Sequence, residues 1–210
     1  MLAISDYVKT FIALLVIVNP VGTIPLFVAM CGTETPAEQR RIAKRAAIAV
    51  AIVLVVSALL GQLLLDFFGI TIASFKVGGA ILILLMAISM MQAMPMRTRQ
   101  TPEEAEEAIE KASVAVVPLA IPLLAGPGAI STTIIYATEH AGIAHLALIV
   151  LCCLAVALLT WLALRIATPI TDMLGKTGIN IAVRIMGLLL AAVAVEIFVS
   201  GLTTLMPGLR

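Results

Sequence analysis

The sequence predicts an all-α polytopic membrane protein. Its six transmembrane helices form two inverted three-helix repeats, with the first helix of each repeat broken at mid-membrane. Three observations carry this. Of 210 residues, 62% are hydrophobic and 12% charged, with a mean hydropathy of +1.17, more apolar material than a soluble domain of this size can use. The apolar residues gather into six runs, each near the roughly 20 residues that span a bilayer as a helix. The chain also aligns with itself after a shift of about 107 residues, so that Pro20 meets Pro127. The alternating short strands of an outer-membrane barrel are absent from this pattern.

The first run covers about 8–31 and is interrupted by Val18-Asn19-Pro20-Val21-Gly22-Thr23. The second, about 46–65, is launched by Thr35-Pro36-Ala37-Glu38, which reads as N-cap, proline at the first helical position and a capping-box glutamate. The third covers about 72–94. Thr101-Pro102-Glu103-Glu104 then opens a short acidic segment ending at Glu110, read as a solvated cytoplasmic linker over 95–112. The fourth run, about 114–137, is interrupted by Ala125-Gly126-Pro127-Gly128-Ala129-Ile130-Ser131; the fifth and sixth cover about 143–164 and 180–203. The organisation is therefore a first repeat over 1–94, the linker, and a second repeat over 113–210.

Within the self-alignment, Asp66-Phe67-Phe68-Gly69-Ile70-Thr71 meets Asp172-Met173-Leu174-Gly175-Lys176-Thr177, and Lys76, Gly79 and Leu82 meet Arg184, Gly187 and Leu190 after a two-residue slip. Three spans per repeat is an odd number, so the second repeat enters the membrane with the opposite orientation. Charge placement agrees. Arg40, Arg41, Lys44, Arg45, Arg97, Arg99, Lys111, Arg165, Lys176 and Arg184 fall on one side, leaving Lys9, Lys76 and Arg210 on the other. Basic loops stay cytoplasmic, which places both termini outside. The first run is read as a retained span: Val28-Ala29-Met30-Cys31 only faintly resembles a lipoprotein cleavage box, and Asn19-Pro20 breaks the run.

The net charge of +1 says nothing about nucleic acid; no nucleic-acid partner is expected. Cys31, Cys152 and Cys153 have no metal spacing and read as small core or lipid-phase residues. No cofactor is expected.

The breaks carry the chemistry. Proline cannot donate a backbone hydrogen bond but is welcome at the first helical position, so Asn19-Pro20 and Gly126-Pro127 each read as the start of a new half-helix. The second half-helix presents unpaired N–H groups and a positive dipole end; the first presents bare carbonyls. Two such breaks facing each other make a small pocket suited to a zwitterion, without a buried full charge. The candidate substrate-binding residues are Asn19, Pro20, Gly22, Thr23, Gly126, Pro127, Gly128, Ser131 and Thr132, with Thr133 beside them. Glycine lets a ligand approach the backbone, and the hydroxyls add donors. Pro25, Pro118 and Pro122 lack repeat partners and read as kinks.

Glu196 is the one carboxylate placed inside a span. It reads either as a proton-coupling residue or as the ion-pair partner of Lys76. Asp66 and Asp172 read as turn and capping residues. His140 and His145, with Glu139, read as a solvated loop without metal-binding spacing. Trp161 reads as an interface anchor, with Arg165 snorkelling beside it. Gly78, Gly79 and Gly187 mark a close helix contact within or between chains, and the oligomeric state stays open.

The string from Asn19 to Phe27, together with Val117-Pro118-Leu119-Ala120-Ile121-Pro122-Leu123-Leu124-Ala125-Gly126-Pro127-Gly128, resembles the MarC family of bacterial and archaeal membrane proteins. Phe68-Gly69-Ile70 and Arg184-Ile185-Met186-Gly187-Leu188 fit the same resemblance. The resemblance implies a six-span inner-membrane protein whose relatives carry small neutral amino acids such as glycine and alanine, coupled to protons. The site it implies is the pair of motifs at Asn19–Thr23 and Gly126–Thr132. The main expectation is thus a secondary transporter and not an enzyme. The alternatives are a passive channel, an exporter of other small solutes, and an accessory membrane subunit.

Overall fold

The computed structural model describes residues 4–31, 34–92, 124–206 and 208. Among the described residues the chain is helical throughout, without strands. In order the helices are α1 (Ile4–Val18), α2 (Pro20–Cys31), α3 (Pro36–Phe67), α4 (Ile72–Met91), α5 (Pro127–Thr138), α6 (Ile143–Arg165) and α7 (Ala167–Leu205). Among the described residues, five helical stretches are long and apolar enough to cross a membrane: Ile4–Ile24, Pro36–Phe67, Ile72–Met91, Ile143–Arg165 and Asn180–Leu205. The expected linker over 95–112, and the expected fourth span before Leu124 with Pro118 and Pro122, lie outside the described residues.

Local sequence explains most boundaries. Thr35 caps α3 as expected, its Oγ1 accepting from Glu38 N at 3.3 Å with Pro36 in the first turn. That start lies well before the apolar run, so α3 carries Arg40, Arg41, Lys44 and Arg45 on its own polar first turns. Thr71 caps α4 the same way, through Ser74 N at 3.2 Å. The turn between α3 and α4 passes through Gly69 at φ 64°. A second left-handed glycine, Gly175 at φ 61°, breaks the helical geometry inside α7. Both positions sit where a β-carbon would clash with the following carbonyl, a cost only glycine escapes.

The bundle is inside-out relative to a soluble protein. Leu63, Leu151 and Leu188 are 60–70% exposed, while the centre is built from small or branched residues such as Ala43, Ala46, Val50, Ala80, Ala87 and Val156. Lipid tails are as apolar as leucine, so large side chains face outward at no cost and small ones let helices approach. The main seams are α4 with α7 and α3 with α6; α2 lies against α6 and α7, and α5 against α3 and α4. The expected glycine contact is within the chain. A Cβ at Gly79 would lie 2.8 Å from Ser131 Cβ, and one at Gly187 would lie 3.0 Å from Met90 Cβ; Gly78 faces open space.

Trp161 and Arg165 meet at the end of α6, the guanidinium 5.2 Å from the ring centroid. His145 departs from expectation. It is buried in the first turn of α6, not solvated: Nδ1 lies 3.0 Å from Tyr7 Oη and Nε2 2.9 Å from the Tyr136 carbonyl. The carbonyl can only accept, so Nε2 carries a proton. The imidazole thereby ties α1, α5 and α6 together. His140 remains exposed, its ring edge-on to His145.

Candidate functional site

Asn19 separates α1 from α2 and serves both. Its N–H closes α1 on Leu15 O at 2.9 Å. Its backbone is left-handed at φ 48°, a conformation asparagine tolerates better than most residues. Its side chain then caps α2: Oδ1 accepts from Gly22 N at 3.1 Å, and Nδ2 points to Met90 Sδ at 3.7 Å on α4. Pro20 follows in the first helical position, where its missing N–H costs nothing. Gly22 is required because a Cβ there would collide with the Asn19 amide. Thr23 turns its hydroxyl back onto Asn19 O at 3.2 Å.

The second helix start is less protected. Gly126 precedes Pro127 with extended backbone, and no side chain among the described residues caps α5. Thr133 closes on Ala129 O at 2.7 Å. Thr132 does not behave that way: it is fully buried, and its Oγ1 has no hydrogen-bond partner among the described residues. A buried hydroxyl without a partner is costly and asks for an explanation. Ser131 packs on Gly79 of α4.

The two helix starts are neighbours. A Cβ at Gly128 would lie 3.6 Å from Ile17, two residues before Asn19, and 3.2 Å from Ile83 on α4. The same stretch of α4 carries Met90, which meets Asn19. Among the site residues expected from sequence, Asn19, Pro20, Thr23, Gly128, Ser131 and Thr132 are buried; Gly22 and Gly126 are partly exposed and Pro127 is exposed.

Open volume lies farther along α1. A cavity of about 510 Å3 is bordered by Asp6 and Lys9 of α1, Lys76 of α4, Glu139 after α5, and Glu196 and Ser200 of α7. Lys76 does not pair with Glu196, the partner considered from sequence. Its Nζ meets Glu139 Oε1 at 3.2 Å and donates to Ser200 Oγ at 3.4 Å. Glu196 is exposed to the cavity. Sequence reasoning missed this cavity because it joins four helices through side chains far apart in the chain.

A family model described as "MarC family integral membrane protein" matches residues 4–206. The chain is 41% identical to the Escherichia coli (strain K12) "UPF0056 membrane protein YhcE", over 97% of this chain and 94% of that one. It is 36% identical to "UPF0056 membrane protein YvbG" of Bacillus subtilis (strain 168), over 98% of each. It is 38% identical to "UPF0056 membrane protein MJ0972" of Methanocaldococcus jannaschii, over 96% of this chain and 89% of that one. No solved structure matches it. The chain belongs to the MarC family of integral membrane proteins.

Proposed function

We propose that this protein is a secondary transporter of small neutral amino acids of the glycine, alanine and serine type. Substrate binds at mid-membrane where the helix starts at Pro20 and Pro127 meet, and access alternates between the two sides. The protein sits in the cytoplasmic membrane with both termini outside, and Glu196 is the candidate for proton coupling. The observation that carries the reading is the pairing of two adjacent proline-led helix starts with the buried, partnerless hydroxyl of Thr132. An uncapped helix start offers N–H groups and a positive dipole end to a carboxylate, and the carbonyl end of α1 suits an ammonium. None of the described residues named at this site carries a full charge, which matches a substrate without net charge.

The inverted repeat is part of the proposal, and several features support it. α2 and α5 each hold 12 residues and start about 107 residues apart, as do α3 and α6. The left-handed glycines Gly69 and Gly175 occupy matched positions. The contacts match too: α2 lies against the last two helices as α5 lies against α3 and α4. Two related bundles packed this way can rock about a shared site.

A passive channel is the weaker reading. The spans outside the breaks offer little polar lining beyond Ser57, Gln62, Ser89 and Gln92, and Ser57 and Ser89 spend their hydroxyls on Val53 O and Leu85 O of their own helices. Counterflow of labelled alanine and glycine into proteoliposomes tests the proposal. Saturable exchange that is lost in Asn19→Ala supports a carrier, and no exchange by folded wild-type protein overturns it.

A further inference from the structure

The cavity bordered by Lys76, Glu139 and Glu196 does not reach the helix starts. From Ala13 on its wall to Asn19 is six residues, about 9 Å along a helix, and from Ile135 to Gly128 is about 10 Å. Leu14, Ile17 and Ile134 are buried along that path. The cavity is therefore a separate compartment, and its volume lies in the range of small-molecule sites.

Its charges do not cancel. Lys9 is held by Asp6 at 3.4 Å and Lys76 by Glu139 at 3.2 Å. Glu196 has no ion-pair partner among the described residues, so the compartment holds one surplus carboxylate. Lys76 is engaged by Glu139 at 3.2 Å and Ser200 at 3.4 Å, with its side chain only 15% exposed, and does not pair with Glu196. Ala13, Ile135, Val193 and Ile197 supply an aliphatic wall. A free carboxylate beside an aliphatic wall selects a primary ammonium on a short hydrocarbon body.

We propose that this cavity is a second, peripheral binding site, in which Glu196 receives the ammonium group of a small aliphatic amine or amino acid before it reaches the helix starts. That the bound ammonium belongs to a transported amino acid rests on the carrier reading; the site itself does not. Binding precedes any opening between α1 and α5.

The test is equilibrium dialysis of labelled ethylammonium against the full-length protein in lipid nanodiscs. Wild type and Glu196→Gln are compared, with the exposed, lipid-facing Leu63→Val as a neutral control, and unlabelled alanine and propionate serve as competitors. Ethylammonium is expected to bind wild type and Leu63→Val equally, and to bind Glu196→Gln at least tenfold more weakly. Alanine is expected to displace it and propionate is not. The glutamine keeps the shape of an exposed side chain, so an unchanged unfolding temperature establishes that the fold is intact. Equal binding by wild type and Glu196→Gln, or no binding by wild type, overturns the proposal. Ethylammonium held through Glu196 without alanine counterflow supports this site and overturns the carrier reading instead.

Discussion

The side-chain amide of Asn19 occupies the space that a β-carbon on Gly22 would need. The cap on α2 and the absence of a side chain three residues later are one arrangement: Oδ1 reaches Gly22 N at 3.1 Å only because nothing stands between them. Gly22→Ala is therefore expected to displace the cap and cost about 1–3 kcal/mol, as overpacking does in tight sites. Thermal unfolding in detergent measures it.

Asn19 itself separates backbone from side chain. Asn19→Gly keeps the left-handed φ and loses the cap. Asn19→Ala also loses the cap but keeps a β-carbon in that conformation, without the side-chain hydrogen bonds that help asparagine tolerate it, which sets it about 1–2 kcal/mol below the glycine variant. Alanine is expected to be the more destabilising of the two; an equal effect of both would place the whole cost in the lost cap.

The contact between α4 and α5 turns on Gly79 and Ser131. A β-carbon on Gly79 would lie 2.8 Å from Ser131 Cβ. Gly79→Ala is expected to lower the unfolding temperature, and Ser131→Gly in the same chain to restore part of it. Strict additivity of the two changes would show that they do not touch.

His145 holds three helices at one point. His145→Phe fills the volume but leaves the Tyr136 carbonyl without its donor, an expected loss of about 1–3 kcal/mol. Hydrogen exchange at the end of α5 should rise with it; unaltered stability and exchange would mean that the imidazole is not the tie.

Much of this was legible in the sequence because membrane spans and their interruptions are written locally. Asn19-Pro20 combines a residue that tolerates left-handed backbone with one that cannot donate, and Thr35-Pro36 announces the start of α3 in the same way. The ends of α4 and α6 fall within a few residues of the apolar runs. What escaped depends on contacts between helices. Depth alone offers Lys76 as one possible partner of Glu196, yet Lys76 meets Glu139, 63 residues away in sequence, because α5 brings that carboxylate alongside. His145 lies between two spans and reads as loop; only the approach of Tyr7, 138 residues away, reveals its burial.

Thr132 separates stability from function. Replacing a buried hydroxyl that has no partner by a methyl group of similar volume removes a desolvation penalty, so Thr132→Val is expected to raise stability by about 1 kcal/mol. The same change is expected to lower alanine counterflow at least tenfold. A stable variant with wild-type transport would take Thr132 out of the site.

Thiol labelling of Thr132→Cys, in a background where Cys31, Cys152 and Cys153 are replaced by alanine, bears most directly on a site at the helix starts. In the present conformation position 132 is fully buried, so reaction with a membrane-impermeant reagent reports opening. The account predicts reaction from either side of the membrane, slowed by alanine from both. No reaction from either side, or reaction that alanine leaves untouched, would contradict it.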